Sequence, residues 1–123
     1  MTKPNDILIY FKRFEFDIHT MSMKKNNTNI KYPYILNLDK YYVNSSNSNN
    51  EENKLLYKLK SVICHRGMLN YGHYYSFVCK TNELNNDDWY LCNDENVQKI
   101  NIENIDNNVI NNDAYILSYE LII

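Results

Sequence analysis

The sequence predicts an α+β fold made mainly of antiparallel β-strands with one short helix. Three observations lead there. Runs rich in Tyr, Phe, Ile, Leu and Val recur at short intervals, several alternating apolar with polar residues at the period of two that a half-buried strand requires. The connectors between them are short and crowded with asparagine, 22 of 123 residues against 2 Gly and 2 Pro, and asparagine closes turns and tolerates left-handed backbone. A single segment, Asn101-Ile102-Glu103-Asn104-Ile105, has helical spacing behind an Asn cap and is expected to form a helical turn.

The elements follow in order. Residues Ile7 to Phe16 begin as a continuous apolar run and pass into alternation, which reads as one strand buried first on both faces and then on one. Ser22 to Lys31 is polar and rich in Lys and Asn, a loop or hairpin. Tyr32 to Leu38 resumes an extended course because Pro33 disfavours helix at the residue before it. Residues 44–53 are low-complexity Ser, Asn and Glu, a composition that cannot bury a core, so a flexible surface loop is expected. Leu55 to His65 is the next strand, and Arg66 to Gly72 is a connector with a glycine near each end. His73 to Lys80, Trp89 to Cys92 and Val97 to Ile100 follow closely enough to form an antiparallel meander, and Ala114 to Leu121 is the last strand.

At 123 residues the chain is one domain or part of one. A net charge of -2 gives no basic footprint for nucleic acid. No apolar run approaches the roughly eighteen residues of a membrane span, and the first residues lack the apolar centre of a signal peptide. Three cysteines without a CxxC pair fit a reducing compartment and neither a disulfide framework nor a zinc ribbon. No nucleic acid, membrane, cofactor or metal is therefore expected as a partner, and the cytoplasm or nucleus is the expected location.

The residues suited to chemistry lie in Tyr71-Gly72-His73-Tyr74-Tyr75-Ser76-Phe77 and in Trp89-Tyr90-Leu91-Cys92-Asn93-Asp94. A histidine of ordinary pKa near ~6.5 can take a proton from a thiol and return it to a leaving amine. The preceding Gly72 removes a side chain and opens space for a substrate backbone. An imidazole acting as base needs an acceptor at its other nitrogen, and either Asn93 or Asp94 can supply it; the same residues also suit a plain polar turn between two strands. Cys64, Cys79 and Cys92 each sit in or at the end of a strand-like run, where a thiol is a small buried hydrophobe and not an activated nucleophile. Phe14, Phe16, Tyr74, Tyr75, Tyr115 and Tyr119 read first as core, and some of them as the walls of a cleft for an extended peptide.

Taken in order, Ile7-Leu8-Ile9-Tyr10-Phe11-Lys12-Arg13-Phe14, Tyr32-Pro33-Tyr34-Ile35-Leu36-Asn37-Leu38, Tyr57 to Gly67, Gly72-His73-Tyr74, Trp89 to Asp94 and Ala114 to Tyr119 resemble the C-terminal half of the ubiquitin-specific protease catalytic domain. The resemblance implies the palm and fingers side of a papain-like cysteine peptidase that hydrolyses the bond after the C-terminal glycine of ubiquitin. It matches His73 to the general base, Asn93 to the third triad position and Asp94 to an adjacent supporting acid. Phe14, Phe16, Gly72, Tyr74 and Tyr115 match positions along the channel for the ubiquitin tail. Arg66 to Tyr71 matches one loop over that channel, and the tract around 44–53 falls near another. The family's nucleophile lies in a Cys box at a helix N-terminus, which this sequence lacks. Residues 1–123 are thus expected to be one partial domain, a piece of a longer enzyme that is inactive alone. The expected partners are ubiquitin, or ubiquitinated proteins, and the missing Cys half of the same domain. A non-catalytic ubiquitin-binding module and an unrelated β-rich binding domain remain as alternatives.

Overall fold

The computed structural model describes residues 2–42, 54–101 and 112–122. It is mostly antiparallel β. The centre is β5 (Leu56–Arg66), an 11-residue strand. On one side it pairs along its length with β9 (Ala114–Ile122), which in turn pairs with β1 (Asp6–Tyr10). On the other side its first turn of residues pairs with β4 (Ile35–Asn37) and its second half with β6 (His73–Thr81). The meander continues through β7 (Asp87–Asn93) and β8 (Asn96–Ile100). The expected order of strands from Leu55 to Ile100 is therefore present.

Burial along β5 explains how so long a strand keeps one face inward. Tyr57 and Leu59 are buried, then Val62 and Cys64, so the inward parity switches from odd to even. The switch coincides with a register shift against β9 between Leu59 and Ser61. A bulge adds one residue to one strand, and the side chains after it change face. Trp89, Phe77, Leu117 and Tyr119 complete the core with these residues. Two core tyrosines also tie loops to the sheet, Tyr57 donating to the Pro4 carbonyl at 2.8 Å and Tyr119 to the Pro33 carbonyl at 2.6 Å.

The expected single strand over Ile7 to Phe16 is broken. β1 ends at Tyr10, and Phe14 opens β2 (Phe14–Asp17), which pairs with β3 (Ser22–Lys25) in a separate two-stranded hairpin. The cause is Arg13, 2% exposed, whose guanidinium donates to the carbonyls of Ala114 (2.7 Å), Asn26 (3.0 Å) and Thr28 (2.8 Å). A buried guanidinium needs acceptors, and turning the chain here carries the arginine to three carbonyls. The polar segment after Ser22 is thus a hairpin strand in part, with Met21 at φ 53° in its turn.

β7 starts two residues before the expected Trp89, because Asp87 and Asp88 are neutralised where they stand. Asp87 pairs with Lys58 and accepts from Thr81 Oγ1 at 3.0 Å, and Asp88 pairs with Lys99 at 3.4 Å and accepts from Asn82 at 3.1 Å. A short 3-10 helix, Asp39–Tyr41, follows the extended segment ending at Leu38. The helical turn expected at 101–105 and the flexible loop expected at 44–53 lie outside the described residues, apart from Asn101. The mainly antiparallel β part of the α+β expectation is present among the described residues, which hold little helix.

Candidate active site

His73 is the first residue of β6 and Asn93 the last of β7. Their strands pair from Thr81 opposite Asp87 as far as Ser76 opposite Cys92. Past that point side chains meet instead of backbones: His73 Nε2 and Asn93 Oδ1 lie 2.6 Å apart. An amide oxygen only accepts, so Nε2 carries the proton and Nδ1 keeps its lone pair. The arrangement can therefore take a proton at Nδ1 while the amide holds the ring in one tautomer. Side-chain exposure of 48% leaves the imidazole open to a reacting partner.

Asn93 is held by the turn that follows. It pairs with Asn96 of β8 across a two-residue connection, with Asp94 at φ 53°; asparagine and aspartate are the residues that accept such backbone in tight hairpins. Asp94 Oδ2 is 4.0 Å from His73 Nε2, and the carboxylate is 76% exposed. Of the two acceptors left open by the sequence, the structure brings Asn93 into hydrogen-bond contact and leaves Asp94 at ion-pair range. A shallow cavity of about 330 Å³ adjoins Asp94, lined also by Ile63, Tyr74, Tyr75, Ser76 and Cys92.

The aromatic residues divide. Phe14, Tyr74 and Tyr115 converge, with ring centroids 5.6 Å apart for Phe14 and Tyr115 and 6.3 Å for Tyr74 and Tyr115. Tyr10 extends the group, its hydroxyl 2.8 Å from that of Tyr115. Burial and this contact with Tyr10 push the Tyr115 phenol up to about 12. Phe16 stands apart, opposite Met23 on the outer hairpin and 54% exposed. Near it, Ser22 to Lys25 and Met68 to Tyr71 line a cavity of about 350 Å³.

Gly72 does not leave open room. A Cβ built there would lie 1.9 Å from His65 Nε2, so the imidazole of His65 already occupies the space attributed to a substrate backbone. The contact of His65 across the connector cannot be read from sequence spacing. A second group joins residues distant in sequence. Arg66 Nε donates to Asp113 Oδ2 at 2.9 Å, the Tyr75 hydroxyl donates to the same carboxylate, and the Arg66 guanidinium lies 5.3 Å from the Tyr75 ring. These residues fasten the end of β5 to the start of β9 beside the His73 end of the sheet.

Two of the three thiols, Cys64 and Cys79, are buried, and Cys92 is partly buried. Cys64 is fully buried, and loss of solvent, helped by the charge of Asp113, pushes it up to about 12; burial likewise raises Cys79. Among the described residues no group of three or more His, Cys, Asp or Glu side chains could hold a metal ion.

A β-sheet whose open end holds an amide-oriented imidazole, with Cys64 and Cys79 buried away from it, defines a class: a chain with the geometry of the base side of a hydrolase site. Comparison with known proteins narrows it. The family model for ubiquitin carboxyl-terminal hydrolase matches residues 2–119. Ubiquitin carboxyl-terminal hydrolase 7 of Saccharomyces cerevisiae is 36% identical over 126 residues, covering 98% of this chain and 11% of the yeast protein. A probable ubiquitin carboxyl-terminal hydrolase of Acanthamoeba polyphaga mimivirus is 36% identical over 118 residues, covering 96% of this chain and 23% of the viral protein. Among solved structures, a chain of the SAGA Ubp8/Sgf11/Sus1/Sgf73 DUB module bound to ubiquitin aldehyde superposes with a TM-score of 0.76 at 28% identity, over 98% of this chain and 25% of its own. This chain belongs to the ubiquitin carboxyl-terminal hydrolase family. It spans between about a tenth and a quarter of the length of these relatives.

Proposed function

We propose that this chain supplies the base and its orienting residue to a thiol-dependent deubiquitinase, with the nucleophilic cysteine provided from outside these 123 residues. The reading treats the chain as one partial domain, the palm and fingers side of a papain-like fold, acting in the cytoplasm or nucleus on ubiquitin or ubiquitinated proteins. The observation that carries it is the 2.6 Å contact between His73 Nε2 and Asn93 Oδ1, which leaves Nδ1 as the basic nitrogen.

In the reaction, Nδ1 of His73 accepts the thiol proton as the sulfur attacks the carbonyl carbon of the terminal glycine of ubiquitin. The imidazolium then gives that proton to the leaving amine, and a thioester remains. Water hydrolyses the thioester in the reverse sequence: His73 takes a proton from water, and the thiol is released with its proton restored. Asn93 holds the ring throughout, and Asp94 supports the transient positive charge through space. Phe14, Tyr74 and Tyr115 wall the channel for the ubiquitin tail, and Arg66 to Tyr71 forms a loop over it.

The fate of the three local thiols favours an outside nucleophile, since two of them are buried. It also supports a second reading, in which the chain belongs to a ubiquitin-binding relative without activity. Hydrolysis of a ubiquitin C-terminal amide by the full-length protein separates the two. Turnover that disappears with His73→Ala is expected; ubiquitin binding without turnover would select the second reading, and full turnover in His73→Ala would remove His73 from the mechanism.

A further inference from the structure

Two histidines flank the connector between β5 and β6, and only one faces a partner. His65 is 2% exposed, and its Nδ1 is buried without a hydrogen-bond partner among the described residues. Leaving a buried polar atom unpaired destabilises a fold, so polarity does not account for the imidazole at this position. Its shape does. The ring is packed edge-on between Tyr74, with centroids 4.8 Å apart, and Phe14, at 5.2 Å. Its backbone is fixed from the outer hairpin by Lys25 Nζ, which donates to the His65 carbonyl at 2.8 Å.

The ring's outer edge meets Gly72. A Cβ at that glycine would come 1.9 Å from His65 Nε2, 2.5 Å from Cε1 and 2.8 Å from the Met68 carbonyl oxygen. Gly67, at φ 100°, needs glycine for its backbone; Gly72 does not have such a φ and needs it for space. The ring cannot swing aside, because aromatic neighbours close on it from two directions. Gly72 is covalently next to His73, so the seat of one residue sets the start of the other.

We propose that His65 is a positioning residue for His73: its buried ring seats against Gly72 and fixes the strand entry from which His73 reaches Asn93. The inference rests on His73 being the general base. It assigns His65 no contact with substrate.

The test uses the full-length protein with Gly72→Ala, His65→Ala and the double variant, read by ubiquitin C-terminal amide hydrolysis and by ring nitrogen shifts of isotopically labelled His73. Displacing a reacting group by about 1 Å costs on the order of 100-fold, so Gly72→Ala should lower kcat by about that factor with KM changed less than about 2-fold. His65→Ala should lower kcat by about 10-fold, since the entry loosens without being pushed. In the double variant the imidazole clash is gone and only the Met68 carbonyl, 2.8 Å from the added Cβ, still has to give, so kcat should recover from the Gly72→Ala value toward the His65→Ala level. The His73 shifts should report Nε2–H in the wild type, a mixed tautomer in Gly72→Ala and recovery in the double variant. Effects that simply multiply, or a loss confined to KM, would overturn the proposal. If Gly72→Ala fails to fold, His65→Ala decides alone, and wild-type kcat with a wild-type His73 tautomer would overturn it. If the wild type hydrolyses no ubiquitin amide, the functional reading fails, while the His73 shifts still decide whether His65 positions it.

Discussion

The two ends of the β6–β7 pair hold basic side chains in opposite ways. At the closed end, Lys58 meets Asp87, which also accepts from Thr81 at 3.0 Å and Tyr34 at 3.3 Å. The side chains of Lys58 and Asp87 are 28% and 17% exposed, and the carboxylate that holds the ammonium is itself fixed by Thr81 and Tyr34. At the open end, His73 meets an uncharged amide through one nitrogen, and the other nitrogen is left available at 48% exposure. A base whose contacts are complete stabilises a fold. A base held by one atom and free at another can move a proton. The difference lies in the partners, because both ends belong to the same pair of strands.

Breaking the open end should have the largest effect, and on rate. General-base catalysis contributes roughly 100- to 10,000-fold, so His73→Ala should lower kcat by that range in the full-length protein while Tm stays within about 1 °C, as expected for a half-exposed surface side chain. A matching fall in Tm would show that His73 belongs to the fold, as Lys58 does.

Next comes the acceptor. Asn93→Ala removes the group that fixes the tautomer and should lower kcat by about 10- to 100-fold. Asn93→Asp keeps an acceptor in place and should retain most of kcat. A carboxylate favours the imidazolium, so the acid limb of the kcat/KM profile should move to higher pH in this variant. Unchanged rates in Asn93→Ala would mean that the 2.6 Å contact does not orient the base.

The open end was the more legible of the two in the sequence. Gly72-His73-Tyr74 sits in an alternating run and Asn93-Asp94 ends the next one, so strand pairing alone brings them close. The strand order from Leu55 to Ile100 could be read for the same reason, from local periodicity. Contacts through non-local distance could not. Lys12-Arg13 continues the apolar and alternating run, and nothing local reveals that Arg13 will turn the chain to reach Ala114, 101 residues away. Arg66 with Asp113, 47 residues apart, is hidden in the same way. The parity switch on β5 is invisible too, since Lys58, Lys60 and Ser61 allow either phase. Gly72 suggests room for a substrate backbone in the sequence, and the structure fills that room with the protein's own His65.

The closed end should answer in stability. Hydrogen bonding from Lys58, then from Thr81, holds the Asp87 carboxyl below the ordinary carboxylate range, and the same contact raises Lys58. A carboxyl with a lowered folded-state value stabilises above its unfolded value near ~3.9 and loses that contribution as pH falls through the folded one. Asp87→Asn should therefore cost about 1 kcal/mol near neutral pH, a modest figure because solvent partly screens the pair. The Tm difference from wild type should shrink below pH of about 4, and kcat per folded molecule should not change. A Tm difference independent of pH would show that shape, and not charge, closes this end.

The smallest effect belongs to Asp94, which is drawn toward both kinds of behaviour and has the geometry for neither in full. Its carboxylate is charged like Asp87 and sits at the reactive end like Asn93, but it is 4.0 Å from His73 Nε2 and 76% exposed. That nitrogen already donates to Asn93, so Asp94 acts only through space on the positive charge that forms during turnover. Exposed pairs of this kind are worth a few tenths to about 1 kcal/mol and fade with salt. Asp94→Asn should accordingly lower kcat by about 2- to 5-fold at low ionic strength and by less at 0.5 M salt, a concentration at which the screening length is only about 4 Å. Asparagine keeps the preference for left-handed backbone that the turn at φ 53° requires, so the hairpin and the position of Asn93 should survive the change. A loss as large as that of Asn93→Ala, and insensitive to salt, would mean that the carboxylate moves into direct contact during the reaction and that the open end holds its base by two partners, as the closed end does.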